Sequence, residues 1–210
     1  MPQTPSHSPD TPPNARPGVL AVAITGGIGA GKSEALRAFA RHGAATVSSD
    51  EIVHHLLRRP EVRDAVIGRM GNGIVSPVDG EIDRRALATV VFNDRDALAW
   101  LEQLLHPLVA SEYLQWRDDL AKLPDPPRVC VTEVPLLYEV GGESRFDKVV
   151  AITAPRKLRQ ARSPVAVDER EERLLPDREK AERADFAYAN TGTVEELDAF
   201  VGSVMDTLTA

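Results

Sequence analysis

The sequence of 210 residues has a single cysteine, no excess of basic residues and no long apolar run. The lone Cys130 cannot form an internal disulfide, which suits a protein of a reducing compartment. The net charge of −7 argues against the basic surface that nucleic-acid and acidic-membrane binders need. No stretch approaches the roughly 20 apolar residues that span a bilayer. We therefore expect a cytoplasmic protein that binds neither nucleic acid nor membranes.

Prolines are concentrated at the N-terminus, where residues 1–18 contain six of the chain's 16. Each proline fixes φ and removes an N–H donor, so this segment cannot form a helix or a strand ladder. The segment also lacks the apolar centre of a secretory signal and the Arg-rich pattern of a transit peptide. We expect a disordered tail over residues 1–18.

Short apolar runs alternate with helical patterns along the rest of the chain, which is typical of an α/β fold with a parallel sheet. The predicted strands cover residues 19–25, 45–47, 129–133, 148–153 and 186–189. Helices are predicted over 32–42 and 194–208 because apolar residues recur there at helical spacing.

Residues 50–122 are mostly helical in pattern, with no strong strand candidate. A crossover between parallel strands rarely needs seventy residues, so we predict an inserted helical subdomain over 50–123. The core is then 19–49 and 124–210. Within the insert, Asp79-Gly80 predicts a turn and Asp83 a helix start. A long helix is predicted over 95–122, which Pro107 should kink or break.

Residues 26–33 carry the most informative motif, a complete G-x-x-x-x-G-K-S phosphate-binding loop after the first predicted strand. Such a glycine-rich turn directs successive N–H groups into one concave nest, with the positive end of a helix behind it. Lys32 would reach the β- and γ-phosphates of ATP, and the Ser33 hydroxyl would bind Mg²⁺. The predicted ATP-binding residues are Gly26, Gly27, Gly29, Ala30, Gly31, Lys32, Ser33 and Glu34. Of Glu34 we expect only the backbone N–H to take part.

The loop alone does not define a reaction, because kinases, GTPases and other ATPases all use it. A GTPase needs a guanine-reading Asn-Lys-x-Asp segment, which the sequence lacks. The combination of the loop, a helical insert and an Arg-rich segment over 156–183 is the layout of a small-molecule kinase.

Beyond the loop, the chain resembles the dephospho-CoA kinase family. The matching positions, in the family's order, are 25–33, Asp50, 79–87, 91–94, 105–109, 133–139, Lys180, 184–186 and 190–192. His-Pro at 106–107 and Pro-Leu-Leu-Tyr-Glu at 135–139 are peculiar to that family. The resemblance implies a P-loop NTPase-type parallel sheet flanked by helices, a helical acceptor-binding insert and a short lid. It also implies transfer of the γ-phosphoryl group of ATP to the ribose 3′-hydroxyl of dephospho-CoA, with Mg²⁺. We expect a monomer.

The resemblance places Asp50 at the position of the family's proposed catalytic base, with Lys32 as the second catalytic residue. The alternative is that Asp50 only caps the helix that follows, since Asp is among the best N-cap residues. Ser48 stands where the family usually has a further Asp, so this chain lacks the second carboxylate.

Four other residues have two interpretations each. Glu133, at the end of a predicted strand and counted with the candidate acceptor-binding residues, either orients Mg²⁺ or its water shell or pairs with a structural Arg or Lys. His106 is either a core residue or an acceptor contact. Arg84 and Arg85 either bind the acceptor's pyrophosphate or form a solvated helix face.

The predicted lid, residues 156–183, is rich in arginine, and guanidinium groups on a lid can clamp phosphates. This lid is shorter than the family's usual form, so the family's lid arginine does not align with a single position. Arg159 and Arg162 are the candidates for it. Two other functions stay open from sequence alone. One is a kinase of another small acceptor, such as a nucleotide or sugar acid. The other is a nucleotide-binding regulator without catalysis, which Ser48 and the short lid motivate.

Overall fold

The computed structural model of the chain describes residues 18–163 and 175–210. The predicted tail up to residue 17 and the lid segment 164–174 lie outside the described residues. The strands are β1 (Leu20–Thr25), β2 (Ala45–Ser48), β3 (Val129–Glu133), β4 (Lys148–Thr153) and β5 (Phe186–Ala189). The helices are α1 (Lys32–Arg41), α2 (Ser49–Leu56), α3 (Pro60–Met70), α4 (Arg84–Asn93), α5 (Arg95–Leu120), α6 (Arg156–Arg162), α7 (Asp177–Arg183) and α8 (Val194–Thr209).

The five strands form one sheet in the order β2-β3-β1-β4-β5, with β1 at its centre. β1 pairs in parallel with β3 and with β4, and β4 pairs in parallel with β5. All five predicted strands are therefore present, and the predicted P-loop-type parallel sheet flanked by helices is confirmed. At the carboxyl end of β1, Ile24 lies opposite Glu133 of β3.

Both faces of the sheet are buried, as expected where helices cover a parallel sheet. Because side chains alternate along a strand, Val22 and Ile24 of β1 face one side and Ala23 faces the other. Val22 and Ile24 belong to a core cluster with Phe39 of α1 and with Leu197, Val201 and Val204 of α8. Ala23 belongs to a second cluster with Leu137, Tyr138 and Val149.

The chain divides into two compact units. The sheet unit comprises residues 18–46, 123–163 and 175–210 of the described chain, and the helical unit is Val47–Lys122. The helical unit contains α2 to α5 and buries Leu56, Val66 and Ile74 completely.

Local signals in the helical unit are confirmed at two places. Gly80 has φ of +73°, and the Asp79 carboxylate accepts a hydrogen bond from the Glu81 N–H, so Asp79-Gly80 forms the predicted turn. A hydrogen bond from Ser76 is the largest of the effects that lower the pKa of Asp79. The Asp83 carboxylate caps the first turn of α4, as predicted.

Pro107 was expected to kink or break the long helix, and the break is wrong, since α5 continues through Pro107 over 26 residues. Proline removes one backbone hydrogen bond, but tertiary packing can hold a helix on both sides of it. Leu101 and Leu105 before the proline and Tyr113 after it are all buried. Within the described residues, no helix has both the length and the apolar character needed to cross a bilayer.

Candidate active site around the phosphate-binding loop

The predicted loop connects β1 directly to α1, and its backbone requires glycine. Gly26 has φ of +142°, and a β-carbon there would lie 1.9 Å from the Ile152 carbonyl oxygen of β4. No side chain fits such an approach of two backbones, and L-residues rarely adopt that φ. Gly31, with φ of +105°, is the N-cap of α1. The loop therefore presents backbone groups at the start of a helix, the arrangement that binds anions.

Lys32 lies over this loop with only 7% of its surface exposed. Its ammonium nitrogen donates a hydrogen bond of 3.0 Å to the Gly27 carbonyl and lies 3.8 Å from Glu133 Oε1. The buried charge is thus compensated by a carbonyl and a carboxylate, as burial of a charge demands. These contacts hold the positive charge of Lys32 at the loop.

Ser33 and Glu133 supply neighbouring oxygen atoms at the end of β3. The Ser33 hydroxyl donates to Glu133 Oε2 at 3.0 Å. Glu133 is paired with a lysine at 3.8 Å, and both interpretations of its role stay predictions. The lysine beside Glu133 is Lys32 of the motif itself.

A hydroxyl and a carboxylate are hard oxygen donors, the type that Mg²⁺ prefers, so Ser33 and Glu133 fit that ion. The described residues contain no group of three or more His, Cys, Asp or Glu side chains placed to hold a metal. Mg²⁺ binds in kinase sites through one or two protein ligands with the rest from phosphates and water. The donor set here matches that pattern.

The Glu34 side chain is 24% exposed and forms ion pairs with two arginines of α1. This agrees with the expectation that its carboxylate takes no part in phosphate binding. Arg37 donates to it, and Arg41 lies 3.2 Å from its Oε1. Arg41 also pairs with Asp198 of α8 at 2.7 Å. Hydrogen bonds from Arg41, the larger effect, and from His42 lower the pKa of Asp198.

Asn190, whose role the sequence did not reveal, anchors the loop from the far strand. It is 6% exposed, and its amide nitrogen donates to the Ala30 carbonyl at 2.8 Å. Arg162 Nη1 in turn donates to the Asn190 carbonyl at 3.1 Å. Arg162 is exposed, whereas the other lid candidate, Arg159, is buried against the loop at Gly27.

Lys180 is at the centre of a second buried network of polar contacts. The sequence analysis did not predict this structural role. Its side chain is fully buried, 2.8 Å from Glu139 and 3.0 Å from the Pro135 carbonyl that it donates to. Glu139 also accepts a hydrogen bond from the Leu175 N–H. Thr25, the residue before the loop, donates to the same Pro135 carbonyl at 3.4 Å. Glu139 and Lys180 both match motifs of the family, which could have marked them as important. That they pair with each other could not be predicted, because they are far apart in the sequence.

Within the segment Leu136–Tyr138, Leu137 and Tyr138 are buried. Arg183 lies over the Tyr138 ring, with 4.1 Å from guanidinium carbon to ring centroid. Burial raises the pKa of the Tyr138 phenol, so the phenol is neutral at physiological pH.

In the helical unit, Asp50 is exposed at the second residue of α2. The alternative that Asp50 caps this helix is wrong, because Ser48 is the N-cap. The Ser48 hydroxyl accepts from the Asp50 N–H at 3.2 Å, and Glu51 completes a capping box. Ser48, where the family usually has Asp, therefore has a local role in starting α2.

The three remaining candidates also lie in the helical unit. His106 is exposed on α5, so the interpretation of this residue as part of the core is wrong. Arg84 and Arg85 are exposed in the first turn of α4. An exposed guanidinium is available to an anionic ligand, as well as to solvent.

A phosphate-binding loop at the carboxyl end of the central strand of a parallel sheet defines a P-loop nucleotide-binding protein. The family model for dephospho-CoA kinase matches residues 20–196. The chain therefore belongs to the dephospho-CoA kinase family, and the resemblance found in the sequence is confirmed.

Individual relatives agree. A dephospho-CoA kinase of Protochlamydia amoebophila (strain UWE25) is 37% identical over 188 residues, covering 84% of this chain and 90% of the relative. A dephospho-CoA kinase of Rhodopseudomonas palustris (strain HaA2) is 32% identical over 198 residues, covering 90% and 95%. The crystal structure of TT1252 from Thermus thermophilus superposes with a TM-score of 0.72 at 30% identity, covering 92% and 100%.

Proposed function

We propose that this protein transfers the γ-phosphoryl group of ATP to the ribose 3′-hydroxyl of dephospho-CoA, the last step of coenzyme A biosynthesis. The observation that carries the proposal is the intact loop with Lys32 and Ser33 in place, in a chain that matches the family over residues 20–196. The products are coenzyme A and ADP.

Phosphoryl transfer needs positioning and stabilisation of charge on the transferred group. Lys32 and the N–H groups of the loop (Gly26, Gly27, Gly29, Ala30, Gly31, and those of Ser33 and Glu34) bind the phosphates of ATP. The Ser33 hydroxyl would hold Mg²⁺ together with the phosphates, and the bound ion would neutralise further charge. Glu133 accepts the Ser33 hydroxyl bond and so sets the direction of that oxygen.

Asp50 is the proposed general base, which accepts the proton of the ribose hydroxyl. It follows the carboxyl end of β2 by two residues, and α/β proteins bind ligands at such strand ends. Its carboxylate is exposed and does not cap α2. Because Ser48 stands where the family usually has a second Asp and carries no charge, Asp50 alone accepts the hydroxyl proton.

The helical unit is the proposed acceptor-binding subdomain, within the boundaries 50–123 that the sequence suggests. Arg84 and Arg85 are the proposed ligands of the acceptor's pyrophosphate, since exposed guanidinium groups bind phosphates through paired hydrogen bonds. His106 is the proposed third contact. All three are exposed and thus accessible to a ligand.

Arg162 is the proposed lid arginine in preference to Arg159. Arg162 is exposed beside Asn190, which holds the loop, whereas the Arg159 side chain is only 10% exposed. We place the protein in the cytoplasm as a monomer, with ATP and dephospho-CoA as its small-molecule partners.

The test is a steady-state assay of ADP release with a panel of acceptors. We expect acceptor-dependent turnover that is highest with dephospho-CoA and that requires Mg²⁺. Equal or faster turnover with adenosine nucleotides, shikimate or gluconate would contradict the proposed acceptor. ATP binding without turnover on any acceptor would instead indicate a nucleotide-binding regulator.

A further inference from the structure

Gly27, the second residue of the loop, is covered on one side by two ionic side chains. A β-carbon at Gly27 would lie 2.7 Å from Arg159 Nη1 and 2.9 Å from Asp177 Oδ1. Arg159 comes from α6 and Asp177 from the first position of α7. The backbone of Arg159 also closes on the loop, with its carbonyl oxygen 2.6 Å from a β-carbon position at Gly29. Two elements distant in sequence therefore contact the loop directly.

Arg159 is held in this place by fixed partners. Its Nε donates to the Ala154 carbonyl at 2.9 Å and lies 3.7 Å from Asp177 Oδ2. The arginine side chain is 10% exposed and the aspartate side chain 23%. In the described residues, Asp177 Oδ2 is buried without a hydrogen-bond partner, so the contact with Arg159 is its compensation. Partial burial strengthens such an ionic contact relative to one in water.

Arg159 and Asp177 contact the loop on a different side from the one that binds phosphate. Arg159 and Asp177 occupy the side of Gly27 where a side chain would stand, whereas phosphates bind to N–H groups inside the nest. Lys32 reaches Gly27 at its carbonyl oxygen. Gly27 is thus held at its carbonyl by Lys32 and at its α-carbon by the ionic pair.

We propose that Arg159 and Asp177 form a brace, a pair of positioning residues that fixes the phosphate-binding loop in its nucleotide-binding shape before ATP arrives. A preformed site does not have to be ordered during binding, and this raises affinity. Asp177 compensates the charge of Arg159, and both side chains lie against Gly27. The inference rests on the proposed binding of ATP by the loop. In it, Arg159 supports the loop and does not contact the transferred phosphoryl group.

The test compares Asp177→Asn with a matched change on the same helix. Glu182→Gln removes a carboxylate that pairs with Arg178 at 2.7 Å in an exposed position away from the loop. Calorimetry gives the dissociation constant of ADP, and kinetics give kcat and the KM values for both substrates. We expect Asp177→Asn to weaken ADP binding about three- to tenfold, the scale of a lost charged contact. KM for ATP should change more than kcat, and KM for dephospho-CoA should not change.

Two further variants separate the brace from a general loss of stability. Asp177→Glu keeps the charge and should weaken ADP binding less than Asp177→Asn does. In an Arg159→Met background, Asp177→Asn should have a smaller effect on ADP binding than it has with Arg159 present, because its ionic partner is gone. Thermal unfolding of every variant identifies any that fails to fold.

Three results would overturn the brace. In the first, Asp177→Asn binds ADP as tightly as Glu182→Gln does. In the second, Asp177→Asn binds ADP more tightly than the unaltered protein, which would mean that the carboxylate repels phosphate. In the third, its effect is the same with and without Arg159. Absence of ADP binding by the unaltered protein would instead remove the proposed function and the brace together.

Discussion

The sheet unit and the helical unit differ in how many charged and polar side chains they bury. Six of the buried polar or charged residues in the described chain lie in the sheet unit: Thr25, Lys32, Thr132, Arg159, Lys180 and Asn190. The described residues of the helical unit bury one, Arg117. The residues proposed to contact the acceptor, by contrast, are exposed.

This difference follows from what each unit is proposed to bind. Phosphate is recognised by N–H groups and charges that must point at one place, and burying them is costly unless each has a partner. The networks around Lys32, Asn190 and Lys180 supply those partners. Exposed side chains in the helical unit stay hydrated and take up their contacts when the ligand arrives. Three predictions test whether this contrast holds.

The largest effect is expected in the helical unit, at Asp50. Asp50→Asn keeps the size of the side chain but removes its ability to accept a proton. Loss of a general base lowers turnover about 10²- to 10⁴-fold. ATP affinity should be retained, because the ATP site lies in the sheet unit. Steady-state kinetics and calorimetry measure both.

The control for Asp50→Asn is Asp64→Asn, the same change at an exposed residue of α3, which should leave turnover as it is. A turnover of Asp50→Asn equal to that of the control would remove Asp50 as the base. Joint loss of turnover and of ATP binding would show that Asp50 has another role.

The second prediction compares one substitution in the two units. Lys180→Met in the sheet unit leaves the Glu139 carboxylate buried without its partner, and breaking a buried pair costs about 3–5 kcal/mol of unfolding free energy. Lys122→Met in the helical unit removes an exposed pair with Asp119 and should not change stability measurably. Urea denaturation of both variants gives the values. Equal stability of the two variants would refute the contrast between the units.

The smallest effect is expected from Gly68→Ala in α3. Gly68 is exposed in mid-helix, and nothing lies within 4 Å of a β-carbon there. Alanine restricts the unfolded chain, so the variant should be about 0.5–1 kcal/mol more stable. The same change at Gly26 in the sheet unit brings the β-carbon against the Ile152 carbonyl and should destabilise the protein instead. A destabilised Gly68→Ala, seen in the thermal midpoint, would mean that α3 is packed more tightly than the structure indicates.

Local patterns were sufficient for much of the fold. The loop between β1 and α1, the five strands, the turn at Asp79-Gly80 and the cap at Asp83 follow from sequence-adjacent residues, and the structure confirms them. Helix propensity and turn chemistry act over a few residues, which is why they are legible in the sequence. Pro107 is the exception, because packing of its helix outweighs the local cost of the proline.

Contacts between distant residues were not predictable in the same way. Asp50 was the one cap of α2 considered from the sequence, and only the backbone geometry shows that Ser48 has that position. The bond between Asn190 and Ala30 spans 160 residues, and no spacing rule connects such positions. Arg159 and Arg162 were equal candidates for the lid arginine from the sequence, and only the burial of Arg159 at Gly27 distinguishes the two.

The sequence by itself determined the phosphate-binding loop, the order of strands and helices and the family, because these depend on short motifs and on periodicity. Only the tertiary structure decided which side chains support the loop. Glu133 contacts Lys32 and Ser33, and Asn190 donates a hydrogen bond to the Ala30 carbonyl. Arg159 and Asp177 lie against Gly27. The physical reason is that a polar side chain can be buried only where another part of the chain supplies its partner. That pairing exists only once the parallel sheet has brought its strands together.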